Sequence, residues 1–301
     1  MKIFLSLVVS AMCTITWSGR NATAQNTAGQ DTAAQSEQAQ KHEPPAVLEI
    51  VHESVKEGRG AAHEKTESDF AAAFRKHNYP YYDLALTSMV TPNDAWFLAG
   101  FPSFAAVEEG DQMLGKPGVK TEFDMLDARD GELRSGTRTM FAVYRKDMSY
   151  RPDLVNVGKT RYVGITSFRV KLGHMHDFEE GSKKFLAADE KAGLKTPAVT
   201  YQVVAGAPAD LVLIIEPMES LKSLDEYPAR EKAVSEAMGE DYERMMKGAG
   251  EVFNSIEFNL MAVNPRMSYV SKDVEDSDPA FWRPKVSPGK TAAKPAEKAG
   301  Q

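Results

Sequence analysis

The sequence predicts an α+β fold made of two tandem copies of one unit, closed on each other within a single chain. Two observations carry this: short motifs that return at a nearly fixed spacing, and the order of strands and helices around each copy. Val55-Lys56-Glu57-Gly58 returns as Val170-Lys171-Leu172-Gly173, 115 residues later, and Phe70 returns as Phe185 at the same offset. Pro92-Asn93-Asp94 returns as Pro208-Ala209-Asp210 at offset 116, and Met148-Ser149-Tyr150 as Met267-Ser268-Tyr269 at offset 119. The order is kept while the offset creeps upward, as a duplication with small loop insertions produces.

The first unit opens with Val47 to His52, a β-branched run bounded by Pro45 and Gly58 that reads as a strand. Ala61 to His77 carries Phe70 and Phe74 at i, i+4, a helix with a narrow apolar stripe. Tyr81 to Val90 and Ala95 to Phe101 are two strands. The Pro92-Asn93-Asp94 turn joins them, because Pro presets φ and Asn and Asp bond their own backbone. Ser103 caps a helix through Phe104, Val107 and Met113. A further helix covers about Thr121 to Leu133, and Thr139 to Tyr144 closes the unit as a strand.

The second unit repeats the order. Tyr162 to Val170 is a strand, Phe178, Phe185 and Leu186 mark a helix, and Val199 to Val204 and Leu211 to Ile215 are strands. Leu221 and Leu224 begin a short helix. Val234, Met238, Tyr242 and Met245 sit at helical spacing, and Ile256 to Val263 is the last strand. Each unit is therefore β-α-β-β-α-(α)-β, a ferredoxin-like order with helices on one face of a four-stranded antiparallel sheet. The other sheet face is bare in a lone unit and must be covered. Tandem ferredoxin-like repeats, residues 46–150 and 160–271, can cover each other, which predicts one intramolecular, pseudo-dimeric α+β barrel.

Phe168-Arg169-Val170-Lys171-Leu172-Gly173-His174-Met175-His176-Asp177-Phe178 resembles the first strand and helix start of the dimeric α+β barrel superfamily. It is most similar to NIPSNAP-like and antibiotic-biosynthesis-monooxygenase-like domains, and Val55-Lys56-Glu57-Gly58 matches more loosely. The matched positions are mostly structural. Members usually build the barrel from two chains, whereas here both halves lie in one, so the resemblance implies a monomer that is a pseudo-dimer, with further pairing open. The segment between the third and fourth strands is longer than the family pattern. The monooxygenase-like resemblance implies, as one reading, a cofactor-free oxygenase or isomerase. Haem-binding relatives place their proximal histidine late in the domain. No histidine follows His176, which disfavours that cofactor.

Few residues suggest chemistry. His52 shares a strand face with Leu48 and Ile50, while Glu49, Val51 and Glu53 share the other. An inward His52 or Glu53 could act as a general base. A histidine packed beside the helices is the more ordinary outcome. Tyr82, Trp96, Tyr144 and Tyr201, on predicted strands, are the candidates for lining a pocket for a small apolar ligand, although strand aromatics are usually core. His174 and His176 are candidate metal ligands without a third partner at a recognisable spacing; on a helix they point apart. Asp177, Glu179 and Glu180 beside them suit a helix entry. No Gly-rich phosphate loop, Gly-x-Ser-x-Gly elbow or His-Glu-x-x-His motif occurs. No cofactor or metal is expected. The leading reading is an exported small-molecule-binding protein, with an enzyme or an envelope interaction scaffold as alternatives.

The ends support export. Met1-Lys2, the uncharged stretch Ile3 to Gly19 and Ala22-Thr23-Ala24 read as a signal peptide over residues 1–24. Its dense apolar part is short for a membrane span. Cys13 follows Met12, where a lipidated cysteine needs a small residue. Cys13 is the only cysteine, so the mature chain would use no thiol chemistry. Cleavage would take the net charge from −7 to −9, making nucleic acid and anionic membranes poor partners. A periplasmic or secreted location follows. Residues 25–45, rich in Gln, Ala and Thr, read as a disordered linker. Residues 272–301 read as a mostly disordered tail, with Phe281-Trp282-Arg283-Pro284 as an anchor onto the body.

Overall fold

The computed structural model describes residues 43–208 and 210–284. The expected signal segment, nearly all of the linker and the end of the tail lie outside the described residues. The first half runs β1 (Val47–Val55), α1 (Gly60–Lys76), β2 (Asp83–Ser88), β3 (Asp94–Phe101), α2 (Phe104–Leu114), α3 (Val119–Gly131) and β4 (Arg134–Tyr144). The second runs β5 (Tyr162–Val170), α4 (Met175–Lys191), β6 (Val199–Ala205), β7 (Leu211–Met218), α5 (Lys222–Asp225), α6 (Tyr227–Met238), α7 (Glu240–Val252) and β8 (Phe253–Val263). Two short helices follow, α8 (Lys272–Ser277) and α9 (Pro279–Trp282).

Local chemistry explains several boundaries. Gly58 and Gly173 end the repeated turn at φ +72° and +87°, where a side chain would be strained. Ser103 accepts the Ala106 amide and caps α2. The periodic stretch from Val234 to Met245 is two helices rather than one, because Gly239 sits at φ +62° between them.

The strands close in the order β1-β3-β2-β8-β5-β7-β6-β4 and back to β1. Every pairing is antiparallel. The halves are β4-β1-β3-β2 and β8-β5-β7-β6, each with ferredoxin-like strand order. They meet edge to edge at two seams, Leu86–Ser88 against Met261–Val263 and Phe141–Tyr144 against Tyr201–Ala205. Closure covers the bare faces and also removes the free edges of both sheets. The chain is thus an α+β barrel of two ferredoxin-like repeats in one polypeptide. Both halves carry an irregularity at the same place, at Ser54/Val55 opposite β4 and at Arg169/Val170 opposite β8.

The barrel interior is a packed core. Ile50, Leu86, Ile165, Leu213 and Met261 are almost fully buried there, with Leu48, Met140, Ala142, Val163 and Tyr201. An eight-stranded barrel has just enough width for its own side chains. The segment after β8 is not a loose tail up to Trp282. Val274, Phe281 and Trp282 pack against this core, and the Trp282 Nε1–H donates to the Gly158 carbonyl at 3.0 Å. Burying these apolar groups offsets the entropy of ordering α8 and α9.

Candidate functional sites on the two faces of the first strand

Alternation along β1 puts successive side chains on opposite faces. Leu48 and Ile50 belong to the barrel core, so His52 also faces the interior and Glu53 faces the helices. The more ordinary expectation, a His52 packed beside the helices, is corrected by this parity. Moving along the inner face, Ile50 is fully buried, the His52 side chain is 31% exposed and Ser54 is exposed. His52 therefore marks the point where the packed interior opens to solvent.

At this mouth His52 lies in register with Trp96 on β3 and Arg138 on β4. The His52 and Trp96 rings are 4.9 Å apart between centroids. His52 Nε2 is hydrogen-bonded to Asp94 Oδ1, and Trp96 Nε1–H donates to Asp94 Oδ2 at 3.0 Å. A carboxylate only accepts, so Asp94 fixes the His52 proton on Nε2 and leaves Nδ1 as an acceptor in the neutral ring. The result is an oriented imidazole beside an indole. The β5 counterpart of His52 is Ser167, opposite Leu213, so the second half carries no such group.

On the outer face, Glu53 is 4% exposed. His63 and Glu67 reach it from α1, Asp130 from the end of α3 and Arg134 from the start of β4. His63 Nε2 is 2.8 Å from Glu53 Oε2, 3.9 Å from Glu67 Oε1 and 3.8 Å from Asp130 Oδ1. Arg134 pairs with Glu53, and with Asp127 at 2.7 Å. Its Nε is also 2.7 Å from Asp130 Oδ2, but without hydrogen-bond alignment, and neither Asp130 oxygen has an aligned hydrogen-bond partner. Burial first, then the Glu53 and Asp130 charges, pushes the Glu67 carboxyl far above its ordinary range. Burial and the Glu53 charge likewise raise Asp130. Burial opposes the charge on Arg134, but Glu53 and Asp127 more than offset it and raise its pKa. With no open path to a substrate, Glu53 is not placed as a general base.

The second half fills the corresponding space with rings. Phe168 stands on β5 where Glu53 stands on β1, as Phe168↔Val212 and Glu53↔Ala95 pairings show. Phe178 and His63 are each the fourth residue of a 17-residue helix. Phe253 lies opposite Val170 as Arg134 lies opposite Val55. The three rings touch, with centroids 5.4, 5.4 and 5.8 Å apart.

The other expected site residues do not converge. Tyr201 is 3% exposed, donates its hydroxyl to the Pro45 carbonyl at 2.9 Å and packs on Tyr144. Tyr82 is 42% exposed and lies against Tyr269. These three tyrosines line no common pocket with Trp96, because the core consumes the inner face. His174 precedes α4 and its Nδ1 lies 2.9 Å from Asp177 Oδ2. His176 is in the first turn of α4, and neither histidine joins a ligand cluster among the described residues. His63, Glu67, Asp130 and Arg134 were not singled out from the sequence. The available signal was the row His63, Glu67, Phe70, Phe74, at helical spacing, which sets two polar residues in line with the apolar stripe.

No protein-family model matches the chain, and no curated protein matches it either. Solved structures do. An anthrone oxidase-like protein is 11% identical with a TM-score of 0.48, covering 74% of this chain and 92% of its own. A candidate monooxygenase from Fusobacterium nucleatum is 12% identical with a TM-score of 0.49, covering 73% and 93%. A mutant chlorite dismutase from Candidatus Nitrospira defluvii is 9% identical with a TM-score of 0.46, covering 79% and 96%. Likeness at this level concerns the course of the chain and not its chemistry; the fold follows from the strand pairing itself.

Proposed function

We propose that this is an exported protein that binds a small, largely apolar ligand at the open end of the barrel. The observation that carries this reading is the inward His52–Asp94–Trp96 chain at the end of the first strand where its inner face meets solvent. Trp96 is 6% exposed and packs in the core, so it backs the imidazole from within, and His52 Nδ1, beside the exposed Arg138, offers polar anchorage. The packed interior argues for a ligand seated at the mouth rather than enclosed. Export rests on the amino-terminal sequence; among the described residues, no helix is long and apolar enough to cross a membrane.

The hydrogen bond that orients His52 favours a second reading, proton abstraction from the bound molecule. The test is native mass spectrometry of the protein taken from its own cell envelope. An extra mass, lost on denaturation and absent from Trp96→Ala, supports the binding site. A clean polypeptide mass in the wild type removes it and leaves an interaction scaffold. If the molecule is found, His52→Gln separates the two readings. A binder returns it unchanged from either protein, whereas an enzyme converts it only when His52 is intact.

A further inference from the structure

We propose that Glu53, His63, Glu67 and Asp130 form a closed site for one divalent transition-metal ion, held between the first half's sheet and its helices. Each of the four offers a ligand atom, all within 4.8 Å of one another, and all four residues are buried. Ligand atoms bound to a common ion at about 2.0–2.2 Å sit closer together than this, so a small inward movement of the side chains completes the site. One imidazole nitrogen with three carboxylates suits Mn²⁺, Fe²⁺ or Zn²⁺. The mature chain has no thiolate to compete.

Two independent observations point to a ligand. The first is Asp130, 1% exposed, whose Oδ2 is ion-paired with Arg134 Nε at 2.7 Å off hydrogen-bond alignment and whose Oδ1 has no hydrogen-bond partner. Buried polar atoms are nearly always satisfied, and an orphan of this kind is what a missing ion leaves behind. The second is the other half of the molecule. There Phe168, Phe178 and Phe253 fill the positions of Glu53, His63 and Arg134 and keep the same strand pairing and helix length. The fold is therefore satisfied by hydrocarbon at this place. A buried ionic cluster contributes less to stability than well-packed apolar groups, so its presence in one half only is not explained by packing.

Charge balance agrees. Three carboxylates face the single guanidinium of Arg134, which Asp127 also shares, so at least two negative charges have no matching cation. A divalent cation cancels them, and Arg134, tied to Glu53 and Asp127, would act as the outer partner that orients the Glu53 ligand.

The test uses the full mature chain, unfolded with a chelator, refolded, and given Mn²⁺, Zn²⁺ or Co²⁺ alone. One equivalent of tightly held metal by elemental analysis is expected, with a rise in melting temperature. Visible absorption of Co²⁺ at low coordination number is expected in the wild type. His63→Phe, which copies the second half, should fold and lose the metal, and Glu67→Gln should weaken binding at least tenfold. The wild-type Co²⁺ spectrum stands even if a variant fails to fold. No stoichiometric metal, or metal kept in full by His63→Phe, would overturn the site. Neither result bears on Trp96→Ala at the barrel mouth, so this inference and the ligand reading fail separately.

Discussion

Ser268 accepts the backbone amide of Ala85 at 2.9 Å, joining the end of the second half to a strand of the first. Ser149 does the reverse, accepting the amide of Thr200 on β6 at 2.9 Å. Each Met-Ser-Tyr copy thus clasps the second strand of the opposite half. The flanking tyrosines extend the clasp through Tyr150↔Ala198 and Tyr269↔Asp83 bridges. The motif is duplicated because the barrel has two seams.

Ser268 is fully buried, so Ser268→Ala leaves the Ala85 amide without a partner in a place water cannot reach. The expected cost is about 1–3 kcal/mol, read as a lower urea midpoint at unchanged slope. Ser149→Ala should act in the same direction. A stability equal to wild type would show that the clasp is incidental.

Gly206 closes the β6 side of a seam at φ +82°, and a Cβ there would lie 2.0 Å from the Thr139 carbonyl oxygen. No flexible side chain can yield, because the obstacle is backbone. Gly206→Ala is expected to destabilise by at least about 2 kcal/mol and to quicken amide exchange along Phe141–Tyr144 before the rest of β4.

Trp282 is 3% exposed against the barrel core, and the Arg161 guanidinium lies 3.9 Å from the neighbouring Phe281 ring centroid. Trp282→Ala should cost about 3–5 kcal/mol, as truncation of a buried aromatic does. Limited proteolysis should then cut first within α8 and α9. An unchanged melting temperature would mean that the tail only rests on the body.

Asp189 on α4 gives the pH prediction. Burial pushes its carboxyl up to about 6, against the pull of Arg230, with Glu216 adding to burial. The folded value lies above the ordinary one, so the folded state binds the extra proton. This contribution to stability is fully present below about pH 4 and is lost as pH rises through about 6. Asp189→Asn removes the titration. Relative to it, the wild type should lose on the order of 1–2 kcal/mol between about pH 4 and about pH 7. Urea unfolding at both pH values measures this, and parallel curves would refute it.

How far the site was legible differs between its residues. His52 and Glu53 stood out because a histidine and an acid are unusual within an apolar strand, but period two says only that they face opposite ways. Trp96 is legible as a strand aromatic, whereas Asp94, following Pro92-Asn93, carries only the local signature of a turn. Nothing local to His63, Glu67, Asp130 or Arg134 announces that α1, α3 and β4 bring them to one point. That convergence depends on how the helices dock, and docking is a sum of long-range contacts.

The sequence by itself determined the duplication, the order of elements and most of their limits, because these follow from hydrophobic period, turn glycines and caps acting over a few residues. Strand β5 is found as read, Tyr162–Val170. Only the tertiary structure decided which strands meet at the two seams, which face of β1 looks inward and where the polar cluster lies. Those outcomes rest on which surfaces lose water together, and residues 200 positions apart, such as Asn264 and Glu64, must meet before that free energy is gained.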